Sequence, residues 1–284
     1  MRRGGFALGA GGNDASRCAD RRRAISFAEM TLPDGETLPE PAHRASREGR
    51  SAAALLFDLD GTLVDSVDLI LTSFRHAFRT HLGEAPPDES WIAGIGTPLA
   101  TQIGSLVPDD PQLALDIAAT YRAYQREHHD ALLREFDGVR DTLALLHGLG
   151  HPTALVTSKM GDMAHRALTF SRLADLLDVV ISADICARHK PDPEPVHMAL
   201  RALDYPPDDA YFVGDSPHDI VAGNAAGVIT VAALWGPFSR ETLEKARPSH
   251  LIEHIRDLPA LVRVPTPPSW ADTRSSRVPR PSDP

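Results

Sequence analysis

The chain has 284 residues, 42% hydrophobic and 24% charged, an ordinary globular composition with room for one large domain, or one domain and a smaller companion. Its formal charge of −10 argues against a general nucleic-acid binder, which carries a basic face or tail, although a few local groups can still hold a small anion. Cys18 and Cys186 make neither a disulfide framework nor a zinc site, and no apolar run reaches the roughly 18–20 residues that cross a bilayer, so a cytoplasmic protein with no membrane or nucleic-acid partner is expected.

Residues 1–50 are rich in Gly, Arg, Ser and acidic residues and lack any sustained apolar period, so they read as a disordered N-terminal extension. The stretch Phe6–Ala10 is too short and glycine-broken for a signal-peptide core, and Met30 is an alternative start. A first short apolar run, Ala53–Phe57, then leads directly into Asp58-Leu59-Asp60-Gly61-Thr62-Leu63-Val64-Asp65-Ser66. From Val67 to Glu135 the chain reads as helical throughout. Ile70, Leu71, Phe74 and Phe78 stripe one segment, and Leu113, Ile117, Tyr121 and Tyr124 another. Asp137-Gly138 marks the return from this insertion. Val139, Leu143 and Leu146 share a helical face that Gly150 stops.

Four more short apolar runs follow, at Thr153–Val156, Val179–Ser182, Tyr211–Val213 and Val228–Ala232, with a helical period at Val196, Ala199, Leu200 and Leu203. Runs of this length suit buried parallel strands, and their alternation with helices predicts an α/β fold, a doubly wound parallel sheet. The expected division is a core of residues 51–66 and 137–263, a helical insertion over 67–136, and a disordered, Pro-rich tail over 264–284.

The strand ends carry the chemistry. Asp58 and Asp60 sit where the first strand meets the turn at Gly61, and ligands of open α/β sheets bind at such carboxyl ends. A calcium loop needs Gly at position six and Glu at twelve; counting from Asp58, Gly falls at four and Leu69 at twelve, which excludes it. A plain polar turn is the remaining bland alternative for this run. The second strand ends in Thr157-Ser158-Lys159, whose hydroxyls and backbone N–H groups suit a phosphoryl group, with a helix N-cap as the competing role of Thr157. Lys190 stands in Lys190-Pro191-Asp192-Pro193-Glu194-Pro195, where the prolines stiffen its backbone. The fourth strand runs into Gly214-Asp215-Ser216-Pro217-His218-Asp219, in which Ser216, Pro217 and Asp219 also match a helix-capping box. The histidine pair His128-His129 lies in a polar helical stretch and is expected to be solvated; no histidine is assigned to a metal.

Asp58-x-Asp60-Gly61-Thr62, Thr157, Lys190-Pro191 and Gly214-Asp215-x-x-x-Asp219 resemble the four motifs of the haloacid dehalogenase superfamily, in the correct order over roughly residues 52–255. The chain is similar to its phosphoglycolate phosphatases and small pyrophosphatases. The resemblance implies a Rossmann-like core with a helical cap inserted after the first motif. It implies that Asp58 attacks phosphorus to give an aspartyl-phosphate, that Asp60 acts as general acid and then base, and that Thr157, Ser158, Lys190 and Gly61 hold the phosphoryl oxygens. It also implies Mg²⁺ bound by Asp58, the backbone carbonyl of Asp60, Asp215 and, directly or through water, Asp219. The segment Gly94-Ile95-Gly96-Thr97-Pro98-Leu99 would face the site from the cap. The expected substrate is a small phosphomonoester, with 2-phosphoglycolate first, inorganic pyrophosphate as the alternative, and a phosphosugar mutase or phosphatase as a third; the chain would be monomer or homodimer. A dehalogenase would need neither Asp60 nor Asp215, and a non-catalytic scaffold would not retain both Asp58 and Asp60.

Overall fold

The computed structural model describes residues 52–262, so the readings of 1–50 as an extension and 264–284 as a loose tail fall outside the described residues. Eight strands are present: β1 (Ala54–Phe57), β2 (Val64–Asp65), β3 (Arg134–Glu135), β4 (Thr153–Val156), β5 (Val179–Ile181), β6 (Ala210–Gly214), β7 (Ile229–Ala233) and β8 (His250–Ile252). Six of them form one sheet in the order β5-β4-β1-β6-β7-β8, every pair parallel. Parallel strands need crossovers that cover both faces, which is why β1, β5 and β6 are apolar runs and do not alternate with charged residues. The pleat still sorts them. Leu55 and Phe57 enter one buried cluster with Leu155, Tyr211 and Val213, while Ala54 and Leu56 enter the other with Ala154, Val156 and Phe212.

Helices α5 (Val139–Gly148) and α7 (Glu194–Leu203) supply the residues that their periods predict: Val139, Leu143 and Leu146 to the first cluster, Val196, Ala199 and Leu200 to the second. Helices α6 (Gly161–Phe170), α8 (Pro217–Ala226) and α9 (Arg240–Lys245) complete the covering layers. The chain winds from β1 outward to β4 and β5, then returns to the other side of β1 for β6, so the winding direction reverses at the central strand. A crevice opens at such a reversal.

Between β2 and β3 lie four helices: α1 (Val67–Leu82), α2 (Asp88–Ile92), α3 (Leu99–Leu106) and α4 (Pro111–Leu132). They enclose their own core around Phe74, Phe78, Trp91, Ile103, Ile117 and Tyr121, with Phe74 stacked on Trp91 at 4.3 Å between ring centroids. The sequence reading of Val67–Glu135 as helical throughout needs correction. Gly83 ends α1 in a left-handed conformation, Pro87 and Pro98 precede the next two helices, and Asp110 caps α4 by accepting from the Leu113 N–H. The last two residues are strand, pairing antiparallel with β2 (Val64 opposite Glu135, Asp65 opposite Arg134). Tyr124 leaves the expected stripe to stack against His76 and His128.

Three smaller corrections concern the sheet and a histidine. The strands begin or end within one residue of the apolar runs; β6 reaches from Ala210 to Gly214, one small residue beyond the run at each end, and both are buried. The edge strand β8 has only one fully buried residue, Ile252, so no apolar run announces it. His129 is buried completely rather than solvated. Its Nδ1 lies 2.6 Å from Asp130 Oδ1, and its ring meets the edge of Phe170 from α6. Burial pushes its pKa down, outweighing the Asp130 hydrogen bond that favours the cation.

Candidate active site

Register aligns the functional side chains. Phe57 lies opposite Leu155 on one side and Val213 on the other, so the next residues of three neighbouring strands emerge at one edge: Asp58 from β1, Thr157 from β4 and Asp215 from β6. Asp58, Asp215 and Asp219 are 3%, 0% and 0% exposed, and one carboxylate oxygen of each lies within 4.8 Å of the others. Three buried carboxylates repel one another, and the fold answers with one cation. Lys190 Nζ donates to Asp58 Oδ1 at 2.6 Å, to Asp219 Oδ1 at 2.6 Å and to the Val156 carbonyl at 3.3 Å. Burial opposes the ammonium charge, but Asp219 and Asp58 outweigh it and hold the Lys190 pKa above its usual value. Burial likewise raises the Asp58 carboxyl to about 7, with Lys190 pulling it down and Asp219 pushing it up. Asp215 is driven well above the ordinary carboxylate range, first by burial and then by Asp58 and Asp219.

One cation against three carboxylates leaves an excess of negative charge. It shows most clearly at Asp215: Oδ1 accepts from Thr62 Oγ1 at 2.7 Å, whereas Oδ2 is buried with no hydrogen-bond partner. The carboxylate is enclosed by glycines. A Cβ on Gly61, whose φ is +85°, would come within 2.4 Å of Oδ2, and one on Gly236 within 2.3 Å of the Asp215 Cβ. An unpaired buried oxygen on a carboxylate grouped with two others is what a hard divalent cation would satisfy. The donor set therefore fits Mg²⁺ in chemistry. Asp219 holds its place as the N3 residue of α8: Ser216 N and Oγ donate to its Oδ2 at 3.0 and 2.6 Å, the expected capping box. With Oδ1 on Lys190, both its oxygens already have protein partners.

Asp60 stands apart from this trio. The turn after β1 lets the Thr62, Leu63 and Val64 N–H groups donate to the Leu59 carbonyl, which swings Asp60 toward the insertion. There its Oδ1 accepts from Ser66 Oγ at 2.6 Å and pairs with Lys159 Nζ at 2.9 Å. Thr157 is buried and Oγ1 accepts from the Lys159 N–H at 3.1 Å; α6 begins only at Gly161, with Met160 in the cap position, so Thr157 is not its N-cap. Ser158 turns to the other side of the site and donates through Oγ to the Gly96 carbonyl at 2.6 Å.

That bond ties the expected Gly94–Leu99 segment to the strand ends. Gly96 sits so close to the core that a Cβ there would come within 2.6 Å of Ser216 Oγ. A cavity of about 570 Å³ lies between the strand ends and the helices, reached by Asp58, Asp60, Thr157, Ser158 and Lys159 from below and by Trp91, Gly96, Tyr121, Arg122 and Gln125 from above. Sequence reasoning missed several of these. Thr62, which fixes Asp215, and Lys159, which pairs with Asp60, both lie inside quoted motifs and were open to recognition. Trp235, whose Nε1 donates to the Thr62 carbonyl at 3.0 Å, and the cavity-facing side of Tyr121 carry no local signal.

Residues 55–233 match the profile of the haloacid dehalogenase-like hydrolases. Among curated proteins, Pyrophosphatase PpaX of Anoxybacillus flavithermus is 36% identical over 210 residues, covering 74% of this chain and 96% of that protein. The protein of the same name from Bacillus pumilus is 36% identical over 208 residues, covering 73% and 95%. Among solved structures, a haloacid dehalogenase-like family hydrolase from Streptococcus pneumoniae superposes with a TM-score of 0.66 at 25% identity, covering 74% of this chain and 98% of that one. A predicted phosphoglycolate phosphatase from Haemophilus somnus does so with a TM-score of 0.68 at 21% identity, covering 75% and 99%, which bears on the fold alone.

Proposed function

The chain belongs to the haloacid dehalogenase-like hydrolases and works as a phosphatase, and on that footing we propose that it hydrolyses inorganic pyrophosphate through an aspartyl-phosphate on Asp58, with Mg²⁺. The observation that carries the mechanism is the buried group of Asp58, Asp215 and Asp219 around Lys190, with Asp215 Oδ2 unpaired. Asp58 attacks phosphorus and the bond to the leaving oxygen breaks. Asp60, held by Ser66 and Lys159, donates a proton to that oxygen and later takes one from the water that cleaves the acyl phosphate. Thr157 and Lys190 take the phosphoryl oxygens, and Lys190 keeps Asp58 from repelling an anionic substrate; the Gly61 N–H and the Ser158 hydroxyl, expected from sequence to join them, donate instead to the Val64 and Gly96 carbonyls. Asp58, the Asp60 carbonyl and Asp215 would hold Mg²⁺, whose charge offsets the carboxylates and the transferring group; Asp219, already engaged by Ser216 and Lys190, would contribute from one shell further out. Residues 67–136 would act as the cap, closing the cavity against water.

Pyrophosphate is placed before 2-phosphoglycolate, the first expectation from sequence, because relatives named as pyrophosphatases align at 36% identity over nearly their whole length. The test is kcat/KM for both substrates side by side, with Mg²⁺ and with EDTA. At least a hundredfold preference for pyrophosphate, about 2.7 kcal/mol of transition-state binding, is expected, and the reverse preference overturns the substrate. Turnover that survives EDTA removes the metal.

A further inference from the structure

Helix α4 runs over the cavity and puts four polar residues on it, Tyr121, Arg122, Gln125 and Arg126. Tyr121 and Gln125 already answer one another, since Gln125 Nε2 donates to the Tyr121 hydroxyl at 2.9 Å. Burial, reinforced by the charge of Asp60, keeps that hydroxyl protonated. Arg122 differs. The other cations around the cavity are engaged: Lys159 with Asp60 at 2.9 Å, and Arg126, one turn along, with Asp162 at 3.3 Å. Arg122 is half-buried and, among the described residues, has no carboxylate, carbonyl or hydroxyl partner for its guanidinium. The pairs formed by its neighbours show that acids lie within reach of this helix. The Arg122 charge faces an open space and not a counter-ion.

The strand-end groups account for a single phosphoryl group. Asp58 and Lys190 address phosphorus and its oxygens, and on the β-sheet side the Lys159 ammonium is already held by Asp60, leaving, among the described residues, only the His189 ring without a carboxylate partner. We propose that Arg122 is the specificity-determining residue of this phosphatase, reading a second anionic group on the substrate beyond the phosphoryl that is transferred. The chemistry is shared by the distal phosphate of pyrophosphate and by a carboxylate such as that of phosphoglycolate; a planar guanidinium pairs with either through two parallel hydrogen bonds. This inference rests on the phosphatase reading above and extends it to the far end of the substrate.

The experiment compares Arg122→Ala, Arg122→Gln and Arg122→Lys with the native protein, with Mg²⁺ present. Substrates are pyrophosphate, 2-phosphoglycolate and p-nitrophenyl phosphate, whose leaving group carries no second anion in the bound state. The neutral variants should lose about 10- to 100-fold in kcat/KM on the anion-bearing substrate preferred by the native protein, and less than about threefold on p-nitrophenyl phosphate, since one charge-assisted contact is removed. Arg122→Lys should recover part of the loss by restoring the charge without the fork. Equal losses on all three substrates would make Arg122 a structural residue and overturn the proposal, as would no loss at all. A native protein that prefers phosphoglycolate to pyrophosphate sinks the pyrophosphate reading and leaves the Arg122 ratio to be read on phosphoglycolate. A native protein that prefers p-nitrophenyl phosphate to both overturns the reading of a second anion as well.

Discussion

Asp58 is 3% exposed and shares Lys190 with Asp219, so replacing it by Asn preserves shape while removing the oxygen proposed to attack phosphorus. The expected result is a loss of turnover of at least about a thousandfold with the melting temperature maintained within a few degrees, and full activity would exclude Asp58 as nucleophile. The same residue makes the apoprotein sensitive to pH. Its folded pKa, about 7, lies above the ordinary 3.8, so the folded state holds more protons than the unfolded one between those values. Stability of the EDTA-treated protein therefore falls as pH rises through that window, and Asp215 pushes in the same direction. Because a metal ion would displace those protons, Mg²⁺ should raise the melting temperature more at pH 7.5 than at pH 5. Equal Mg²⁺ shifts at the two pH values would argue against these carboxylates as its ligands.

At the scale of elements, two contacts can be separated. Gly61 combines a φ of +85° with a Cβ position that overlaps the Asp215 carboxylate. Gly61→Ala should cost about 1–3 kcal/mol in backbone strain and weaken Mg²⁺ binding and turnover together, measured by thermal melts and by the Mg²⁺ dependence of rate. Trp91 is the aromatic centre of the helices between β2 and β3, touching Phe74, Phe78 and Tyr121. Trp91→Ala should cost about 3–5 kcal/mol and disturb the cavity wall while the six-stranded sheet stays folded; a denaturation curve indistinguishable from the native one would contradict that packing. Elements with unbroken apolar runs or stripes were legible in advance, because burial on both faces writes itself into β1, β4 and β6 and burial on one face into the stripes of α5 and α7. The pairing of β2 with β3 was not, since Arg134 and Glu135 are exposed and hydrogen bonding between two-residue strands leaves no apolar trace. His129 was misjudged for a related reason: a polar stretch of α4 meets Phe170 from a different part of the chain, and only tertiary packing reveals that.

In the whole molecule, the motifs at successive strand ends announced that Asp58, Lys190, Asp215 and Asp219 would meet, because parallel strands bring their carboxyl ends to one edge of the sheet. What lies across from them was not readable. Arg122 and Gln125 lie beside the apolar stripe of α4 among polar residues of ordinary surface type, and their common cavity depends on how α4 is laid over the sheet. The family match begins only at residue 55, so a shortened chain lacking residues 1–45 should melt and turn over as the full chain does. A marked loss of stability would show that the omitted segment packs against the rest.

Val64 lies opposite Glu135, and Asp65 opposite Arg134, so the polypeptide departs from the sheet and comes back to it at adjoining points. The two ends of this excursion are moored side by side, so a change in its length need not stretch or shift the strands from which it departs.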